Sequence, residues 1–301
     1  MSKTAFLFPG QGAQKCGMGK SFYDSDSDSR AVFDMASDVL HMDMAALCFE
    51  ENDRLNLTEY TQPAMVTTGI AMLKAVGKTG LRADVCAGLS LGEYEALCLT
   101  GVFSAEDAVL TVRERGKLMA EAVPAGVGGM AAVLGTESKL IEDTIREIPE
   151  VWIANYNCPG QIVISGRREA VQKASEALRE AGAKRVIPLN VSGPFHSGML
   201  SGAGEKLAAY LEHVSLSDPS CPYVANYTGE YVTRASEARE LLVKQVSGSV
   251  RFEQSIRTMI ADGVDRFVEI GPGKTLTGFV KKIDRSLSVI NIETMEDLSK
   301  L

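Results

Sequence analysis

This 301-residue chain has one tryptophan, only three histidines and no positive charge excess. Lys and Arg number 31 against 39 Asp and Glu, a net charge of −8. That balance argues against nucleic acid as a main partner, which would call for a basic stripe. No apolar run approaches the roughly 20 residues needed to span a bilayer, so a membrane partner is not expected. The six cysteines lack C-x-x-C spacing and fall mostly in apolar contexts. Reduced thiols of a cytoplasmic protein are expected, and no metal cluster. The apolar stretch 5–8 is too short for a secretory h-region and reads as a first strand. A phosphate-cradling G-x-x-x-x-G-K-[ST] is missing, as is a full G-x-G-x-x-G, so nucleotide cofactors are not expected. What remains is a hydrophobic content of 45%, ordinary for a globular chain that buries a sizeable core.

Strand and helix patterns alternate along the chain. Residues 4–8 and 84–87 read as strands, and 29–40, 44–50 and 63–76 as helices. Ser104-Ala105-Glu106-Asp107 resembles a capping box opening a helix to about residue 119. A glycine-rich linker, Pro124-Ala125-Gly126-Val127-Gly128-Gly129, marks a change of composition. Behind it the order is strand 130–134, helix 138–148, strands 152–155 and 161–165, helix 168–181 and strand 185–190. That is βαββαβ, the ferredoxin-like order. Long elements then return: helices 199–213, 236–246 and 252–261, strands 223–226 and 266–270, and a last helix and strand 288–292 after Gly271-Pro272-Gly273. The expectation is a large α/β domain with a parallel sheet and hydrolase-like core, residues 1–124 and 196–301. A small ferredoxin-like subdomain, 125–195, is inserted into it.

The chemistry is best marked at Gly88-Leu89-Ser90-Leu91-Gly92-Glu93. A strand precedes it and a helix follows, the context in which G-x-S-x-G presents a nucleophile. The helix N-terminus beyond Ser90 suits a developing oxyanion. A glycine turn whose serine caps a helix is the plain alternative. A serine nucleophile needs a base, and three histidines make the search short. His41 falls in a Met-rich helical segment, and His213 near a helix end, where a cation suits the dipole. His196 lies in the irregular loop Ser192-Gly193-Pro194-Phe195-His196-Ser197-Gly198 and is the candidate base by elimination. Neither Asp107 nor Asp143, both in helical runs, is compelling as an orienting acid. Pro9-Gly10-Gln11-Gly12 permits close backbone approach to a substrate. Arg115 gains a role only if that substrate carries a carboxylate, which a guanidinium grips with two bonds.

Together these stretches resemble the malonyl-CoA:acyl carrier protein transacylase family of fatty-acid synthesis and the related acyltransferase domains of polyketide synthases. The resemblance rests on Phe8-Pro9-Gly10-Gln11-Gly12-Ala13-Gln14, Thr61-Gln62-Pro63-Ala64, the Ser90 motif, Arg115-Gly116-Lys117-Leu118-Met119, Asn155-Tyr156-Asn157-Cys158-Pro159-Gly160-Gln161, Gly193-Pro194-Phe195-His196 and Glu269-Ile270-Gly271-Pro272-Gly273-Lys274. It implies an enzyme without cofactor or metal, acting on malonyl-CoA and holo-acyl carrier protein, and expected to be a monomer. It implies that Ser90 is acylated and that His196 is base and then acid, oriented by main-chain carbonyls. Gln245 would support the histidine, the N–H groups of Gln11 and Leu91 would form the oxyanion hole, Arg115 would bind the malonyl carboxylate, and Phe195 would mark malonyl over methylmalonyl units. Leu89 departs from the family, which usually has histidine there. A trans-acting polyketide acyltransferase, an acyl-thioester hydrolase and a silent carrier-binding module stay open. An acidic carrier would need a local basic patch, for which Lys184, Arg185, Arg251, Lys274, Lys281 and Lys282 are candidates.

Overall fold

The computed structural model describes residues 2–191 and 193–301; Ser192, at the head of the His196 loop, lies outside them. The chain opens with strand β1 (Lys3–Phe8) and helices α1 (Lys20–Ser25), α2 (Ser27–Leu40), α3 (Met44–Phe49) and α4 (Thr58–Lys78). Strand β2 (Val85–Gly88), α5 (Gly92–Leu99) and α6 (Ala105–Glu121) follow. A second group is β3 (Gly128–Leu134), α7 (Ser138–Ile145), β4 (Val151–Cys158), β5 (Gln161–Arg167), α8 (Arg168–Glu180) and β6 (Arg185–Pro188). The chain returns through α9 (Ser201–Leu211), β7 (Tyr223–Val224), β8 (Tyr231–Val232), α10 (Ala235–Ser247), α11 (Phe252–Ala261), β9 (Val264–Ile270), α12 (Thr275–Ile283) and β10 (Ser288–Ile292).

The larger sheet runs β10-β9-β1-β2-β7-β8 and is parallel up to the β7–β8 hairpin at its edge. A parallel sheet is covered on both faces, so its strands read as unbroken apolar runs. In β1 every residue after Lys3 is buried, and alternate side chains enter different cores. Phe6 and Phe8 pack with α2, α4 and α5, while Ala5 and Leu7 pack with α11 and α12.

The smaller sheet, β4-β5-β3-β6, is antiparallel throughout. Its order is that of the βαββαβ reading. Ala131, Val133, Ile162 and Ile164 point into a core shared with α7 and α8. Their neighbours Met130 and Val163 point the other way, into the large core. Both faces of this sheet are therefore in use. Main-chain bonds from Val250 N–H to the Ala154 carbonyl and from Tyr156 N–H to the Val250 carbonyl, each 2.8 Å, fasten β4 to the larger unit. The half-exposed Trp152 of β4 lies against Gly198, where an added Cβ would sit 2.8 Å from its ring.

Several boundaries differ from the sequence reading. Helix α4 starts five residues before Pro63, which the pattern suggested as the first helical position. Proline frees the carbonyl four residues back. Here that is Glu59, and Arg113 Nη1 donates to it at 2.5 Å. A tertiary bond thus lets the helix continue through the proline. Helix α1 was not expected: it has six residues and no side-chain cap, and is held by the burial of Phe22. Strand β6 ends at Pro188, not at residue 190, since proline cannot donate to a ladder.

Candidate active site

Parallel sheets bind ligands beyond the carboxyl ends of their strands. Ser90 sits there, in the tight turn from β2 to α5, with φ +55°. A left-handed conformation at a non-glycine residue costs on the order of 1–3 kcal/mol and persists only where the surroundings hold it. The turn also demands its glycines. A Cβ on Gly88 would lie 1.9 Å from the Gly92 carbonyl carbon, and one on Gly92 would lie 2.1 Å from the Phe8 carbonyl oxygen. The β1 loop and the serine turn are pressed backbone to backbone.

Ser90 Oγ is 2.7 Å from His196 Nε2. His196 also has positive φ, +57°, and its Nδ1 faces the Gln245 main-chain carbonyl at 2.8 Å. A carbonyl can only accept, so Nδ1 carries the proton and Nε2 presents its lone pair to the serine. Burial, and then the Arg115 charge, push the His196 pKa down to about 4. The imidazole is neutral at physiological pH, the form a base needs.

Arg115 comes from α6 and is 1% exposed. Nη1 donates to Gln62 Oε1 at 2.8 Å; Nη2 donates to Gln245 Oε1 at 3.0 Å and to Ser90 Oγ at 3.3 Å. Its Nε has no hydrogen-bond partner among the described residues. Burial pushes Glu93 up to about 7 and Glu95 up to about 8, so the nearest carboxyls offset the guanidinium only in part. A buried cation held by amides, a hydroxyl and the face of the Tyr94 ring, 5.6 Å away, is incomplete until an anion reaches it.

These groups open into a cavity of about 640 Å³ between the two sheets. Gln11, Leu89, Leu91 and Phe195 line it with Ser90, Arg115 and His196, and Met130, Asn155, Asn157 and Val163 line it from the smaller sheet. Asn226 Oδ1 accepts the Ser90 N–H at 2.5 Å, which removes that donor from any oxyanion site. Among the described residues no acceptor takes the N–H of Gln11 or Leu91.

The structure thus brings together Ser90, His196, Arg115 and Gln245, with Gln11, Leu91 and Phe195 on the same cavity. Gln245 supports the histidine with its main chain, while its side chain bridges Arg115, Glu93 and the Ser90 carbonyl. His41 and His213 are exposed. Asp107 accepts from the hydroxyl of Ser104, which caps α6, and Asp143 pairs with Lys139 on the surface, both away from the serine. Sequence reasoning gave no role to Gln62, Glu93 or Asn226, because only tertiary contacts assign one. Among the described residues all six thiols are free and no cluster of three or more metal-ligating side chains occurs. No helix there is long and apolar enough to cross a membrane.

The chain is similar to known proteins over nearly its whole length. A model of the acyl transferase domain matches residues 5–298. A Bacillus subtilis (strain 168) protein named malonyl CoA-acyl carrier protein transacylase is 46% identical over 303 residues, covering 99% of this chain and 96% of that one. The structure of a malonyl CoA-acyl carrier protein transacylase from Clostridium perfringens superposes with a TM-score of 0.96 at 46% identity, covering 99% of this chain and 96% of that one. A malonyl-transacylase solved in complex with a holo type II polyketide acyl-carrier protein gives 0.97 at 37% identity, with 99% and 98% covered.

Proposed function

This chain belongs to the acyl transferase family, and we infer from that premise that it moves a malonyl group from malonyl-CoA to holo-acyl carrier protein in fatty-acid synthesis. The observation that carries this reading is a buried Arg115, with no ion-pair partner among the described residues, directly beside a Ser90–His196 pair.

The reaction runs in two halves. Ser90 Oγ attacks the thioester carbonyl while His196 Nε2 takes its proton. The carbonyl oxygen becomes an oxyanion, which the N–H groups of Gln11 and Leu91 stabilise. The C–S bond breaks, the CoA sulfur leaves with the proton from Nε2, and a malonyl ester remains on Ser90. The carrier's phosphopantetheine thiol then gives its proton to Nε2 and attacks the ester. Ser90 Oγ leaves and recovers that proton. Arg115 pairs with the free malonyl carboxylate in both halves, and Phe195 shapes the pocket for a malonyl unit. The Gln245 carbonyl keeps the imidazole in one tautomer, the task an aspartate performs in a triad.

Residues 1–124 and 196–301 form the catalytic domain and 125–195 the inserted subdomain; the protein is a cytoplasmic monomer. A polyketide carrier is the second reading of the acceptor, favoured by the likeness to the carrier-bound malonyl-transacylase. The test is intact-mass analysis after incubation with malonyl-CoA, then with holo-acyl carrier protein. A malonyl adduct on Ser90 that passes to the carrier thiol is expected. Rapid loss of the adduct to water without carrier would make the chain a thioester hydrolase, and no adduct at all a binding module.

A further inference from the structure

We propose that Glu93 and Asn226 form a positioning clamp that holds the Ser90 peptide in its left-handed turn and so aims Oγ at His196. The two residues are 0–1% exposed and touch no part of the cavity. Asn226 grips the turn from both sides of the serine. Its Oδ1 accepts the Ser90 N–H at 2.5 Å, and its Nδ2 donates to the Gly88 carbonyl at 2.6 Å. Glu93 Oε2 in turn accepts the Asn226 main-chain N–H at 3.0 Å and Gln245 Nε2 at 2.8 Å. That same Nε2 donates to the Ser90 carbonyl at 3.0 Å. One carboxyl oxygen therefore anchors the Asn226 main chain and the Gln245 side chain, the two residues that hold both peptide groups of a strained residue. Gln245 also carries the His196 contact, so nucleophile and base are referred to a single buried point. Displacements near 1 Å at a reacting atom cost about 100-fold in rate.

The role is acceptance, not charge. Both donors converge on Oε2, and Oε1 has no partner among the described residues. A glutamine oxygen can take both bonds.

The proposal rests on Ser90 being the acylated residue, and its test separates the two. Asn226→Ala, Glu93→Ala, Glu93→Gln and the Asn226→Ala/Glu93→Ala pair are compared with the parent chain. Three quantities are measured: the rate of Ser90 labelling by a fluorophosphonate, kcat and KM for malonyl loading, and the melting temperature. The fluorophosphonate reads nucleophile geometry whatever the acyl donor. A parent that is labelled but takes no malonyl group overturns the functional reading and leaves the clamp testable. The clamp predicts that Asn226→Ala and Glu93→Ala each slow labelling and kcat by about 100-fold with KM little changed. It predicts that the pair is no slower than its slower member and that Glu93→Gln recovers to within about fivefold of the parent. Folded alanine variants labelled at the parent rate would overturn it, as would additive losses or a Glu93→Gln as slow as Glu93→Ala. If Asn226→Ala does not fold, the two Glu93 variants decide the matter.

Discussion

The two sheets meet at one cavity and bring different things to it. The parallel sheet is buried on both faces, and its strand ends deliver the charged and nucleophilic groups: Ser90 after β2, the Gln11 loop after β1, and Arg115 from a helix packed close by. The antiparallel sheet gives one face to its own helices and lays Met130, Val163, Asn155 and Asn157 over the site. Reactive groups need rigid placement, and a doubly covered sheet supplies it. A roof needs only shape and a few amides, which the second face of the antiparallel sheet can offer. Changes on the parallel side should therefore act on rate, and changes on the antiparallel side on affinity.

The sharpest break of that division is at Ser90 and His196. Ser90→Ala should abolish malonyl loading, His196→Ala should cost at least about 1000-fold, and the pair should be little worse than the worse single change. Single-turnover loading from malonyl-CoA measures all three. Arg115→Ala comes next. A hydrogen bond to a charged group contributes roughly 1.5–3 kcal/mol, so malonyl loading should fall by about ten- to several-hundred-fold while acetyl loading holds or rises. Arg115→Lys should recover part, since an ammonium lacks the fork. An unchanged malonyl-to-acetyl ratio would remove Arg115 from the site.

The pH profile tests the same region more finely. A general base works unprotonated and the His196 pKa is depressed to about 4, so with His196 in that role loading should be flat down to about pH 5 and fall roughly tenfold per unit below 4. An inflection near 6.5 would show an undisturbed histidine. Because the Arg115 charge is the second cause of the depression, Arg115→Ala should move the inflection of acetyl loading upward. Leu89→His, beside the nucleophile but outside the proton path, should keep transfer within about tenfold, a barrier change of about 1.4 kcal/mol. The smallest effect on kcat belongs to the roof. Val163→Ala removes two buried methylenes' worth, roughly 1.6 kcal/mol, and should raise KM for malonyl-CoA by up to about fifteenfold with kcat unchanged. A kcat effect there larger than the KM effect would dissolve the division between the sheets.

What the sequence shows and what it hides follow from the range of the forces involved. The strand–turn–helix around Ser90 is local, set by glycines that no Cβ could replace, and it reads directly from the chain. His196 is found because histidine is scarce. The βαββαβ order is legible because each element carries its own period. Gln62, Glu93 and Asn226 are not legible: Asn226 lies 136 residues from the serine it holds. Nothing in the sequence around it marks that partner. Pro63 misleads for the same reason, since the group that satisfies Glu59 comes from α6, 54 residues away. Helix α1 is too short for its period to show.

The contact between Trp152 and Gly198 makes the molecule its own optical gauge. Trp152 is the chain's only tryptophan, and it stands on the roof with its ring against the residue two positions beyond His196. Its emission comes from one place, the seam between the sheet that covers the cavity and the loop that carries His196. A substrate that parts or tightens that seam changes the polarity around the indole. Ordinary ultraviolet fluorescence, with no attached dye, would then follow the seam through loading and discharge in real time.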